Sequence, residues 1–230
     1  MRTLTFGELK TRSRERADMV NSQFISNTEL EGLVNESMTE LYDMLVTILG
    51  ADYYVTDTSF QLVSGQSVYS LPIDFYKMAG VDLASGSGKA VSLRPFQFQE
   101  RNRFNNALIY DSSTNGFTNL RYRIIGNDIK FIPEVSSNQT VTLWYHPACE
   151  VLTNDLDTFN GVNGYEELVI VLTAIKMLSK EESDTSSLER RYQYLIKRIQ
   201  DSAANRDAGS PERVQDVSRG GFDSDYCGDL

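Results

Sequence analysis

NTELEGLVNESMTELYDMLVTILG (residues 27–50) is followed almost at once by YYVTDTSFQLV (residues 53–63), and the change of rhythm between them decides the fold. In the first stretch Leu30, Leu33, Val34, Met38, Leu41, Leu45 and Ile48 recur every three or four positions, the spacing of one helix face. Ser26-x-x-Glu29 ahead of it is a capping box, and Gly50 stands where a left-handed stop costs least. The second stretch is rich in aromatic and β-branched residues and reads as a strand.

Working towards the C-terminus, Ser64-Gly65-Gln66 turns the chain into a strand over 67–71, which Pro72 ends because it cannot donate to a ladder. Met78–Ala84 is a further strand, followed by the loop Ser85-Gly86-Ser87-Gly88, and Pro95 is placed to open a helical turn through Phe104. Tyr122–Ile125 and Ile129–Ile132 flank Gly126-Asn127-Asp128, residues that tolerate positive φ, and form the clearest hairpin. With Val141–Tyr145 this predicts a β-sheet or small barrel of about six strands over residues 51–152.

Helix returns at Tyr165, where Leu168-Val169-Ile170-Val171-Leu172 is apolar nearly all round, as a helix buried on most sides is. Ser186-x-x-Glu189 caps the next helix, in which Leu188, Tyr192, Leu195, Ile199 and Ala203 repeat. On the N-terminal side, residues 3–20 read as a short polar helix capped by Thr5-x-x-Glu8. The expected fold is α+β. Residues 1–50 and 153–205 form a helical bundle, residues 51–152 are an inserted β domain, and residues 206–230 are an extended arm.

Composition narrows the function classes. A chain of 230 residues with 40% hydrophobic content buries about 70–75% of its unfolded surface and needs no disulfide or metal staple. A net charge of −10 argues against a free-standing nucleic-acid binder, which relies on surplus Lys and Arg. No apolar run reaches membrane-spanning length, and the first residues lack the apolar stretch of a signal peptide. Cys149 and Cys227 are expected to stay reduced thiols.

The chemistry-bearing motifs do not assemble into a catalytic site. Gly86-Ser87-Gly88-Lys89 fails as a phosphate loop because Leu83 takes the place of the first glycine and Ala90 that of the metal-binding hydroxyl. Asp155-x-Asp157 with Glu166 fails as a calcium loop because Phe159 and Asn160 occupy its fifth and sixth positions. His146 has no serine motif to serve, and is read as a structural histidine. Glu166-Glu167 and Glu181-Glu182 diverge by about 100° on a helix and read as solvated surface. Asn35-Glu36-Ser37 and Asn138-Gln139-Thr140 fit a glycosylation pattern with no secretory context. The expectation is no cofactor, no metal and no catalysis. The contrary reading, a small hydrolase, would draw on Asp74, Asp82, Glu100 and Asp111.

Two features point to partners. Lys10, Arg12, Arg14 and Arg16 are a basic cluster on the first helix, either self-paired (Glu8 lies four residues before Arg12) or, through Lys10, Arg12 and Arg16, a contact stripe for an acidic protein or passing DNA. Residues 206–230 hold three arginines and six acidic residues among glycines, a composition that does not fold alone. The apolar anchors there are few, so a neighbouring chain is expected to give this arm its shape.

Gly65-x3-Tyr69-Ser70-Leu71-Pro72-x-Asp74-Phe75 and the run from Trp144-Tyr145-x-Pro147 through Asp157-Thr158-Phe159, Gly164-Tyr165-Glu166-Glu167 and Lys180–Asp184 to Asn205–Arg213 resemble the head-to-tail adaptor (connector) proteins of tailed bacteriophages. The resemblance implies a structural virion protein of the neck, assembled in the host bacterial cytoplasm. It implies a homo-oligomeric ring, of twelvefold symmetry to match the portal, that joins the portal to the next tail or nozzle component. Genomic DNA would pass through it without sequence-specific binding. The arm residues expected to meet the portal are Arg206, Arg213, Val214, Val217, Arg219, Phe222, Tyr226 and Leu230. A tail-terminator ring is the within-class alternative.

Overall fold

Two separate sets of apolar side chains organise the protein. The computed structural model describes residues 3–49, 53–85, 89–102, 120–135, 138–162 and 164–204. In chain order these form β1 (Leu4–Thr5), α1 (Phe6–Arg16), α2 (Asn27–Leu49), β2 (Thr56–Leu62), β3 (Val68–Ser70), β4 (Phe75–Ser85) and β5 (Lys89–Ser92). Then come β6 (Arg94–Pro95), β7 (Arg121–Ile125), β8 (Asp128–Ile132), β9 (Gln139–Pro147), β10 (Thr158–Phe159), α3 (Glu166–Lys180) and α4 (Ser186–Ala204). This is the expected α+β fold.

The first core gathers Phe6 and Leu9 of α1, Leu30, Val34, Met38, Leu41 and Leu45 of α2, Leu168 to Leu172 and Met177 of α3, and Leu195 and Ile199 of α4. Every residue of Leu168–Leu172 is buried, so the all-round apolar run marks α3 as the helix on which the others pack. The β1–β10 pair, in register Leu4↔Phe159, ties the start of α1 to the segment leading into α3.

Thr5 and Glu8 form the predicted capping box: the Glu8 N–H donates to Thr5 Oγ1 at 3.2 Å and the Thr5 N–H to Glu8 Oε2 at 2.9 Å. The helix is shorter than the predicted 3–20. Leu4 and Thr5 are taken by β10, and past Arg16 the chain reverses through Asp18 (φ +57°). At Ser26 half of the box forms. The Glu29 N–H donates to Ser26 Oγ, but the Glu29 carboxylate leaves to hold Lys180 of α3. The α4 cap lies one residue earlier than predicted. Thr185 Oγ1 donates to Glu189 Oε1 at 2.6 Å and Asp184 accepts the Ser186 N–H, which makes Ser186 the first helical residue. Gly50 lies outside the described residues.

The second core lies between two four-stranded sheets, ordered β2-β9-β4-β5 and β3-β8-β7-β6. Period-2 alternation turns Val141, Leu143 and Tyr145 of β9 inward and leaves Thr140, Thr142 and Trp144 on the other side. The sheets meet through Phe60, Tyr69 and Phe131, whose ring centroids are 5.4 to 6.2 Å apart. Gly126 (φ +63°) and Asn127 close the predicted hairpin between Ile125 and Asp128.

About six strands were expected here, and eight are present among the described residues. The reading of Pro95 is corrected. It pairs with Tyr122 in β6, parallel to β7, where its missing N–H costs nothing at a sheet edge, and the helical turn begins only at Phe98.

Candidate interaction surfaces

The basic cluster of α1 divides by what each cation reaches. Lys10 Nζ lies 2.6 Å from Asp155 and 2.9 Å from Glu31, over the Phe6 ring. Burial opposes its charge, but the bonds to the two carboxylates prevail and its pKa is raised. Arg14 spends its guanidinium on the α1–α2 loop, donating to the carbonyls of Met19, Ser22 and Ile25 and to Asn27 Oδ1, the shortest at 2.8 Å to Ile25. Arg12 and Arg16 sit 3.9 Å from Glu8 and Glu167 and line an open concavity of about 720 Å³ with Glu15, Glu166 and Ile170. Two of the three stripe residues therefore share one rim, while Lys10 faces Asp155 and Glu31.

Glu166 and Glu167 are not the solvated pair read from the sequence. Glu166 is 3% exposed and accepts the Gly161 N–H at 3.3 Å. Glu167 takes a two-pronged bond from Arg191 of α4, with Nη2 at 2.8 and 3.0 Å from its two oxygens. Adjacent residues on a helix point 100° apart, and here one direction leads into the fold.

Where the helices meet the sheets, polar side chains read main-chain atoms. Asn35 accepts the Leu152 N–H at 2.9 Å and donates to its carbonyl at 3.1 Å, so the glycosylation-like pattern hides a structural amide. The Tyr42 hydroxyl donates to the Pro147 carbonyl at 2.6 Å, the Tyr54 hydroxyl to the Asn160 carbonyl, and the Tyr76 hydroxyl to Asp43. The Tyr42 and Tyr54 rings lie 4.8 Å apart, and burial pushes the Tyr42 hydroxyl up to about 12 and that of Tyr54 higher still. This tyrosine joint escaped sequence reading because its members are spread over α2, β4 and the segment before β2.

His146 is 2% exposed in the same region and its Nδ1 has no hydrogen-bond partner among the described residues. Burial, with the charge of Lys77, lowers its pKa against a smaller opposing pull from the Tyr53 and Tyr54 backbone. Burial also pushes Cys149 up to about 11, which removes thiolate chemistry at neutral pH.

Two of the four carboxylates of the hydrolase reading serve structural bonds. Asp74 accepts the Tyr145 hydroxyl, and Asp82 accepts Ser92 Oγ and Trp144 Nε1 at 2.7 and 2.8 Å. Asp111 lies outside the described residues. No cluster of three metal-ligating side chains occurs among the described residues. No helix among them is long and apolar enough to cross a membrane.

The other candidate surface is α4, with four basic and two acidic residues in an acidic protein. Beside it, Leu172 and Ile175 of α3 and Tyr192 of α4 floor a groove of about 680 Å³. The predicted arm contacts Arg206, Arg213, Val214, Val217, Arg219, Phe222, Tyr226 and Leu230 lie outside the described residues.

Residues 4–215 match the family model described as SU10 adaptor protein. No curated protein matches the chain.

Proposed function

The chain belongs to the SU10 adaptor protein family, the adaptor proteins of a bacteriophage and so components of the virion, and from that premise we propose that it is the structural ring joining the portal to the tail. The family match over residues 4–215 carries this reading. It spans the helices at both ends and the sheets between them, so it describes the whole plan of the molecule.

On this reading α1 to α4 form the subunit base, which packs against its neighbours in a ring, twelvefold like the portal it meets. The two sheets, residues 51–152, face the next tail component. Residues 206–230 are the arm that gains order on the portal, through Arg206, Arg213, Val214, Val217, Arg219, Phe222, Tyr226 and Leu230. Lys10, Arg12 and Arg16 form the basic contact stripe, with Arg12 and Arg16, held only by long exposed ion pairs, at the concavity rim that meets an acidic partner. A net charge of −10 suits a channel wall, because it repels the phosphates of passing DNA and keeps the genome from sticking. A ring that holds DNA without altering it calls for no catalytic group, and assembly would take place in the host cytoplasm.

The test is removal of residues 207–230. The expected product is a folded, soluble monomer that no longer binds portal. A truncated protein that still assembles on portal-capped heads overturns the docking role.

A further inference from the structure

The groove between α3 and α4 has an apolar floor with Arg190 on its rim, and Lys197 lies further along the same side of α4. Arg190, Gln193 and Lys197 follow at i, i+3 and i+7, so they line the same side of α4. Leu172, Ile175 and Tyr192 lie below Arg190 and Gln193. Arg190 Nε donates to the Ser186 carbonyl at 3.3 Å, and neither Arg190 nor Lys197 has a carboxylate within 4 Å among the described residues. Their neighbours differ: Lys176 holds Glu36 and Glu40, and Arg191 holds Glu167. Glu189, the acidic residue in the lining, is occupied by the Thr185 hydroxyl.

The chain carries the complement of this groove. Residues 222–230, Phe-Asp-Ser-Asp-Tyr-Cys-Gly-Asp-Leu, hold three aspartates, no Lys or Arg, and Phe222, Tyr226 and Leu230 at every fourth position. They lie beyond residue 215, where the family match ends, so the family plan does not account for them. Residues 205–221 tether them to the end of α4. That tether spans up to about 55 Å when extended, whereas Arg190 and Lys197 lie only about 10–20 Å back along α4. A tether of this length gives an effective concentration near the millimolar range. At that concentration apolar burial on the floor and the charge pairs act together, and the pairs make the docking sensitive to salt.

We propose that residues 222–230 dock in the chain's own α3–α4 groove in the free protein, with aromatic side chains on the apolar floor and Asp223, Asp225 and Asp229 against Arg190 and Lys197. Resting on the portal-docking reading above, this makes the groove the holder of the arm's end, which the portal must displace.

Cross-linking of the full chain tests it. Gln193→Cys places a thiol on the groove rim and native Cys227 supplies the other, in a chain carrying Cys149→Ser because Cys149 is only partly buried. A short bismaleimide is expected to give a product of monomer mass, at a yield unchanged by hundredfold dilution. The rate should be at least tenfold above that of Ser202→Cys, which lies nearer the tether but on the opposite side of α4 from Gln193. Arg190→Glu with Lys197→Glu, and separately Asp223→Asn with Asp225→Asn and Asp229→Asn, should each abolish that advantage, as should molar salt. Equal rates at positions 193 and 202 overturn the proposal, and so does a product of dimer mass that fades on dilution, which assigns the groove to a second copy. Portal binding by the same chains is scored separately: its loss in the wild type strikes the adaptor reading, while an absent cross-link strikes only the groove.

Discussion

Asn35 and Leu152, which are 117 positions apart, face each other as two peptide units do in a ladder, the side-chain amide both accepting from and donating to one main-chain residue. Asn35 sits on α2 and Leu152 on the segment returning from β9, so this pair fixes where the chain re-enters the helical base after building both sheets. Leu152 is itself buried in that base, which means its backbone groups have no water to fall back on.

Replacing Asn35 by Ala leaves the Leu152 N–H and carbonyl without these partners. The expected cost is about 1–3 kcal/mol, read as a lower urea midpoint at unchanged slope. Asn35→Asp keeps the acceptor and loses the donor, so it should fall between Ala and wild type. An Ala variant as stable as wild type would contradict the role given to this amide.

Gly161 makes room for a buried carboxylate. A Cβ there would lie 2.8 Å from Glu166 Cγ and 2.9 Å from Cδ, inside normal contact. Gly161→Ala is expected to destabilise by about 1–3 kcal/mol through overpacking. In a Glu166→Ala background the same substitution should cost much less, because the crowded atoms are gone. Strict additivity in thermal or urea unfolding would show that the two residues do not compete for space.

His146 ties stability to pH. Its folded pKa lies below the ordinary 6.5, chiefly through burial, so the unfolded chain binds the proton more readily. Stability from this group is complete above pH 6.5 and is lost as pH falls from there through the lower folded value. The downward-shifted Asp157 and Asp184, held by backbone N–H groups of Asn154 and Ser186, add their loss only below their ordinary value of 3.8. His146→Gln should therefore flatten the urea midpoint between pH 7 and 5 and leave the acid limb in place. An unchanged slope between pH 7 and 5 rules out His146 as its source.

Arg14 and Arg12 are neighbours in composition with different work. Arg14 bonds three loop carbonyls, whereas Arg12 makes one exposed ion pair at 3.9 Å. Arg14→Ala is expected to cost about 1–3 kcal/mol, and Arg12→Ala no more than about 0.5 kcal/mol. Equal losses in denaturant unfolding would show that the loop does not depend on the guanidinium.

The sequence is most legible where the deciding interaction is local. The Thr5–Glu8 box, the apolar face of α2, the Gly126 turn and the all-round burial of Leu168–Leu172 depend on residues within a few positions of each other. Pattern reading fails where a distant group competes. Glu29 abandons its cap for Lys180, β10 takes Leu4 and Thr5 from the start of α1, and Pro95 joins an edge strand because Arg121–Ile125 lies beside it.

The interaction surfaces divide in the same way. That the first helix is basic, that α4 is basic and that the last residues are acidic can be counted directly. Which cations remain available cannot be counted. Lys10 and Arg191 are consumed by Asp155, Glu31 and Glu167, while Arg190 lines the groove with no carboxylate within 4 Å among the described residues. Charge and period are properties of the chain, so the sequence by itself determined an α+β molecule of helical ends around a sheet region. Availability depends on which atoms folding brings within about 4 Å, the range at which a charge pair or a desolvated amide begins to matter. Only the tertiary structure could therefore decide that Glu166 is interior, that Asn35 holds the returning strand, and that α4 keeps an open basic edge.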